Sequence, residues 1–525
     1  MPPKKTRAAE APRTTAQQLG TLIKSARDIM RKDKGLNGDL DRLPMLTWIM
    51  FLKFLDDLEL QREADAKLAG KKFRPALEAP YRWRDWAASA AGITGDELLA
   101  FINQDECTRP DGKRGLGLFA YLRQLTSSNG DDRRDVIATV FRGVQNRMGS
   151  GYLLRDVINK VGGIHFTSSD ELHTLGALYE SMLREMRDSA GDFGEFYTPR
   201  PVVRFIVEVT RPRLGETVLD PACGTGGFLV ESFNQLSGQV KTVADRQLLQ
   251  TGSLFGCEAK SLPYLLAQMN LLLHGLDAPH IDPGNALRFK LTELGEKDRV
   301  DVILTNPPFG GEEEKGIQGN FPEDKQTSET ALLFLQLIMR KLRKAPKAGV
   351  PPARAAVIVP NGTLFGDGVC ARIKEDLLKE FNLHTIVRLP NGVFAPYTII
   401  PTNILFFDRS GPTKDLWYYE HPLPEGRKNY TKTQPLHFEE FAPCLAWWKK
   451  REENENAWNV SAKELLEYNP DGTLKAVNLD RKNPRATDDI THLPPAQLAA
   501  SILQKEQRIA ELMANIRKLL AKHGA

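Results

Sequence analysis

The chain has 525 residues, 41% of them hydrophobic and 26% charged, which suits a globular protein of roughly two to four domains with a large core. Its 71 basic and 67 acidic residues nearly cancel to +4, so any nucleic-acid-binding face is a local patch or belongs to a partner. No apolar run approaches the roughly 20 residues needed to span a bilayer, and five scattered cysteines without a CxxC pair exclude a zinc ribbon or a disulfide framework.

These features, with no secretory h-region behind Met1-Pro2-Pro3-Lys4-Lys5, predict a soluble cytoplasmic protein with free thiols, no membrane association and no metal. Residues 1–15, rich in Pro, Ala, Lys and Arg, read as a disordered tail. Residues 16–160 are patterned as helices. Leu19, Leu22, Ile23, Ala26 and Ile29 recur at helical spacing, and the dense apolar run from Leu46 to Leu58 reads as a buried helix. No catalytic constellation falls in this segment, so it is expected to be a helical scaffold or partner domain.

From residue 161 to 410 the texture changes. Candidate strands at Thr217–Asp220, Leu254–Glu258, Val300–Thr305, Ala355–Pro360, Leu383–Leu389 and Asn403–Asp408 alternate with helical stretches. Such alternation predicts an α/β domain: a doubly wound, mainly parallel sheet covered on both faces, with its ligand crevice beyond the carboxyl ends of the strands. Residues 411–490, with aromatic residues scattered among Pro, Asn and charges, read as an irregular extension. In 491–525, Leu498, Ile502, Ile509, Leu512, Ile516 and Leu519 step by fours and threes around Lys505, the stripe of a C-terminal helix that docks on a partner helix or on the chain itself.

Thr217 to Phe228 reads as strand, glycine turn and helix start. Asp220 at the strand tip can receive a cationic ammonium group, and Pro221, Gly224, Thr225, Gly226 and Gly227 let backbone N–H groups approach a ligand. The third glycine of the dinucleotide fingerprint would fall on Leu229, so this is not GxGxxG. Glu258 ends the next strand, where a carboxylate can take two ribose hydroxyls, and Asn285 is either an amide for an adenine edge or a turn residue.

The most specific string is Asp301 to Gly310. A buried strand runs into Asn306-Pro307-Pro308-Phe309. Two prolines stiffen the tip and remove two donors, leaving the Asn306 side-chain oxygen and the Pro307 carbonyl as acceptors. Paired acceptors suit a delocalised aromatic amine such as adenine N6. They hold its hydrogens, localise the lone pair and aim it, without covalent catalysis. Phe309 is placed to stack on a base taken out of its duplex. Upstream, Thr198 or a neighbour is expected to cap a helix starting near Pro199. The loop Gly310 to Gly316 reads as a solvated acidic segment, with a mobile active-site loop as the alternative.

In order, Phe196-Tyr197-Thr198-Pro199, Asp220 through Phe228 and Asn306 through Phe309 resemble the N6-adenine DNA methyltransferases. With a helical domain of this size in front, the chain is similar to the modification subunits of type I restriction–modification systems. The resemblance runs from about Gln17 to the last helix and is densest from Gly162 to Asp408, with Met269 to Gly275 and Arg388 to Phe394 as further matching strings. It implies a Rossmann-like methyltransferase fold that uses S-adenosylmethionine. Glu195, Phe196, Tyr197, Thr198, Pro199 and Arg200 would close over that cofactor, and Gly224 to Gly227 would cradle its methionine end. Glu258 would hold the ribose, and Asn306, Pro307, Pro308 and Phe309 would handle the target base. It implies three kinds of partner: double-stranded DNA, a specificity subunit clasped by two modification subunits, and a restriction subunit. Methylation of a protein glutamine amide or of RNA, and a non-catalytic cofactor-dependent scaffold, are the competing expectations from the residues alone.

Overall fold

The computed structural model describes residues 16–68, 70, 72–126, 133–164, 197–344, 349–395, 397–485, 503, 506–514 and 516. The chain divides into a compact unit through Arg481 and a second unit from Lys482.

Among the described residues, nine strands form the main sheet: β1 (Val218–Asp220), β2 (Leu254–Cys257), β3 (His280–Asp282), β4 (Val302–Thr305), β5 (Arg354–Pro360), β6 (Asn382–Leu389), β7 (Thr402–Asp408), β8 (Asp415–Glu420) and β9 (Ala457–Ser461). Their order is β9-β8-β6-β7-β5-β4-β1-β2-β3. The run from β5 to β3 is parallel throughout. β7 lies antiparallel between β5 and β6, with Thr402 beside both Pro360 and Leu389. The loop entering β7 therefore sits at the same sheet edge as the ends of β1 and β4.

The central strands are buried at every position, Val218 to Asp220 and Val302 to Thr305, as strands covered on both faces must be. The six expected strands are present within two residues at either end. Three more were not expected. His280-Ile281-Asp282 is too short, between Pro279 and Pro283, to show a period. β8 and β9 correct the irregular reading of 411–490. Their aromatic residues are sheet residues, and Tyr418 and Trp458 stack across the pair at 5.2 Å.

The helical N-terminal region shares a core with the sheet region. In α1 (Asp39–Leu68), Trp48, Ile49 and Phe51 are fully buried, and their apolar cluster runs on into Leu266 and Met269 further along the chain. Arg62 of α1 also pairs with Asp277. Ser150 caps α2 (Gly151–Gly162), accepting from the Leu153 N–H at 3.3 Å. Ser150→Ala is expected to cost about 1 kcal/mol in urea unfolding; an unmoved midpoint would contradict the cap.

Arg354 at the start of β5 grips the buried Glu216 carboxylate with two bonds of 2.8 and 2.9 Å, fixing the chain just before β1. In the second unit, residues 506–514 are helical, and Leu503, Ile509, Leu512, Met513 and Ile516 are exposed. Residues 1–15 and Leu498, Ile502, Lys505 and Leu519 lie outside the described residues. Among the described residues, no helix is long and apolar enough to cross a membrane.

Candidate active site

The ends of β1, β2 and β4 surround a cavity of about 230 Å³. After β1 the chain turns through Gly224 and Gly226, both left-handed (φ 54° and 79°), before α4 (Gly227–Ser237) begins. Only glycine takes those angles without strain. A Cβ on Gly227 would run into the Arg200 guanidinium. The turn is pinned from below by buried Asn270, on α5 (Ser261–Leu273), whose Nδ2 donates to the Thr225 carbonyl at 2.9 Å.

Two carboxylates face this turn. Glu258 accepts from the Gly224 N–H (2.9 Å) and the Lys260 N–H (2.8 Å). Asp220 takes the Thr305 hydroxyl at 2.7 Å and the Ala222 N–H at 3.1 Å through one oxygen, Oδ1. Burial raises the Asp220 pKa to about 7, helped by the Glu258 charge and opposed by those two hydrogen bonds. Cys223, buried beside both carboxyls, has its thiol pKa driven far up, so it is no nucleophile.

Asn306 follows β4 directly. Its Nδ2 donates to the Thr198 hydroxyl at 3.1 Å, and its Oδ1 is buried with no partner among the described residues. A buried acceptor left open costs free energy unless a ligand satisfies it. Pro307 is buried, Pro308 lines the cavity, and half-buried Phe309 meets the Phe394 ring edge-on at 5.5 Å. Of the expected caps of the following helix, Thr198 or a neighbour, it is the neighbour Pro199 that takes the N-cap position. That helix, α3 (Arg200–Thr210), has Pro199 at its N-cap with no side-chain cap, and the Thr198 hydroxyl is turned to Asn306 instead.

Of the expected residues, Thr198, Arg200, Asp220, Pro221, Gly224, Thr225, Gly227, Glu258, Asn285, Asn306 and Pro308 line the one cavity. Tyr197 is buried behind it under the Arg200 guanidinium, 5.4 Å from the ring centre. Glu195 and Phe196 lie outside the described residues. Asn285 takes the turn reading: its Oδ1 caps a short turn at the Leu287 N–H (2.9 Å), and the residue borders the cavity.

Glu313 was not singled out. The sequence reads it as part of a solvated acidic loop, but it is half-buried at the cavity wall, accepting from Asn285 at 3.3 Å and from Thr330 at 3.5 Å. Phe334, on α6 (Thr330–Lys341), also lines the wall; its helical pattern signals only a core position. Among the described residues no cluster of His, Cys, Asp and Glu side chains could hold a metal ion.

Residues 170–478 match the family model described as N-6 DNA Methylase, and residues 19–161 match the HsdM N-terminal domain. The type I restriction enzyme EcoEI methylase subunit of Escherichia coli is 46% identical over 512 residues, 96% of this chain and 97% of that protein. A crystal structure described as a modification subunit of a type I restriction enzyme from Vibrio vulnificus is 72% identical, with a TM-score of 0.86 over 92% of this chain and all of that one. A chain from a structure described as bearing on complex assembly and conformational transition of the type I R-M system is 38% identical, with a TM-score of 0.74 over 97% and 99% of the two chains.

Proposed function

This chain belongs to the N-6 DNA methylase family, as a methylase subunit of the type I restriction enzymes, and we propose that the cavity at the strand tips is where it binds S-adenosylmethionine and methylates a flipped adenine. The enzyme is an adenine-specific DNA methyltransferase. One observation carries the assignment of the site: the Asn306 Oδ1 is a buried acceptor without a partner among the described residues, its amide held at the cavity by the Thr198 hydroxyl.

The residues present fit the cofactor. The second oxygen of Asp220 suits an ammonium group, the backbone of Gly224 to Gly227 a carboxylate-bearing tail, and the Glu258 carboxylate two ribose hydroxyls. Arg200, Pro221, Thr225, Asn285 and Pro308 complete the enclosure, with Tyr197 and Pro199 behind them; Glu195 and Phe196 are assigned to the same edge by the family motif alone. When bound, S-adenosylmethionine supplies an electrophilic methyl group on a sulfonium.

The chain's own part is to prepare the amine. The Asn306 Oδ1 and the Pro307 carbonyl accept the two N6 hydrogens. This draws the nitrogen toward a tetrahedral shape and frees its lone pair from the ring. Phe309 steadies the base by its face. No covalent enzyme intermediate is needed.

Thr198 acts through Asn306. Thr198→Val removes the acceptor for Nδ2 and lets the amide turn, and is expected to lower kcat about tenfold with little change in KM for DNA. Equal kcat values would remove Thr198 from the mechanism.

Double-stranded DNA is the substrate in this reading, reached in the cytoplasm. The exposed apolar side chains Leu503, Ile509, Leu512, Met513 and Ile516 suit a helix that docks on a specificity subunit. Two modification subunits would clasp one such subunit, with a restriction subunit joining for cleavage. The deciding experiment gives the purified modification complex labelled methyl donor with duplex DNA, RNA and protein in parallel, then hydrolyses each product. Label in N6-methyladenine of DNA alone is expected; label in RNA or in a glutamine amide would overturn the reading.

A further inference from the structure

Between β6 and β7 the chain carries Ile399, Ile400 and Pro401 in succession, all exposed, with the two isoleucines 71% and 51% open to solvent. We propose that this tip enters the DNA duplex and fills the gap in the base stack left by the extruded adenine. The inference rests on the reading above, in which the target base leaves the helix.

Place comes first. Because β7 runs antiparallel, its entering loop stands at the sheet edge where β4 delivers Asn306. The loop is joined to the catalytic motif through Phe394, whose ring meets Phe309 at 5.5 Å. The tip begins five residues after that contact.

The tip is also held in shape. The Phe394 carbonyl accepts from the N–H groups of Tyr397 (3.1 Å) and Thr398 (3.3 Å), the Thr398 hydroxyl accepts from the Ile400 N–H at 3.1 Å, and the Pro401 carbonyl accepts from the Asn361 N–H at 3.1 Å. The last bond ties it to the turn after β5 that carries Phe365, itself 52% exposed.

Chemistry then selects the occupant. Consecutive large apolar residues on a loop tip serve no core and are unfavourable in water unless they meet an apolar surface. β-Branched isoleucines and a proline have few rotamers or backbone states to lose on insertion. A stiff apolar wedge of this kind is what proteins insert between base steps. Removing a base exposes two stacking faces and an unpaired partner base, all apolar or planar.

The test uses the whole modification complex carrying Ile399→Ser and Ile400→Ser together. Both side chains are exposed, so folding should be unaffected. Methylation is measured on two duplexes: one with the target adenine paired to thymine, the other with the adenine opposite an abasic site, where no pair has to be broken. The variant should lose on the order of tenfold on the paired duplex and less than about twofold on the abasic one. An equal loss on both, no loss on either, or failure of the variant to assemble with its specificity partner would overturn the wedge; the last would make the tip a protein contact. If the unaltered complex methylates adenine in neither duplex, the fault lies with the adenine reading itself.

Discussion

Asn306→Ala is expected to lower the methylation rate on the order of a thousandfold, about 4 kcal/mol of transition-state stabilisation, while cofactor affinity stays within about twofold. The loss is large because the Asn306 Oδ1 is preorganised. It is buried and has no partner among the described residues, and its amide is oriented by Thr198, so no reorganisation is required when the amine arrives. Cofactor affinity survives because the groups assigned to the cofactor's ammonium, ribose and carboxylate, namely Asp220, Glu258 and the glycine turn, belong to β1, β2 and their loops. Single-turnover methylation and calorimetric titration with S-adenosylhomocysteine measure the two quantities. A variant that retains a tenth of the rate would rule out the Asn306 acceptor as the main source of activation.

Affinity for S-adenosylhomocysteine, which carries the same ammonium group, is expected to fall about tenfold for each pH unit below about 7 and to level off above it. Asp220 has its pKa raised to about 7 by burial. Below that pH the side chain is a neutral acid that must lose its proton before it can attract a cation. Asp220→Asn should abolish the slope and weaken binding at pH 8 on the order of a hundredfold. A flat profile in the unaltered protein would contradict the role. The sign for folding is opposite. A carboxyl whose folded pKa lies above the usual 3.8 adds stability that is complete below 3.8 and lost as pH rises through about 7. Cofactor binding therefore opposes a destabilisation that the empty site carries at neutral pH.

What could be read from the sequence was local. Asp220 through Gly227 and Asn306 through Phe309 each encode a strand, a stiff turn and a side chain at a strand tip within about ten residues, so their places followed from composition and spacing. Contacts made across the fold were not legible. Thr198 and Asn306 are 108 residues apart, and nothing in either segment announces that one hydroxyl will leave its helix cap to hold the other's amide. Glu313 was hidden for a different reason: Glu312-Glu313-Glu314 among glycines looks solvated, and burial of the middle carboxylate depends on the return of Ser328 and Thr330 beside it. β8 and β9 escaped because they are short and show no clean alternation: Trp417, Tyr418 and Tyr419 run together between Asp415 and Glu420, and β9 carries the single aromatic Trp458, so the pair becomes a sheet edge only once β6 is there to pair with.

The hydrogen bond between Thr305 and Asp220 has an engineering consequence. Thr305 is joined by one peptide to Asn306, so the carboxyl assigned to the donor molecule and the amide assigned to the acceptor base hang from a shared crossbar. Anyone retuning this enzyme for synthetic donors will find that widening one half displaces the other, and compensating changes at 220 and 305 will have to be selected as a pair.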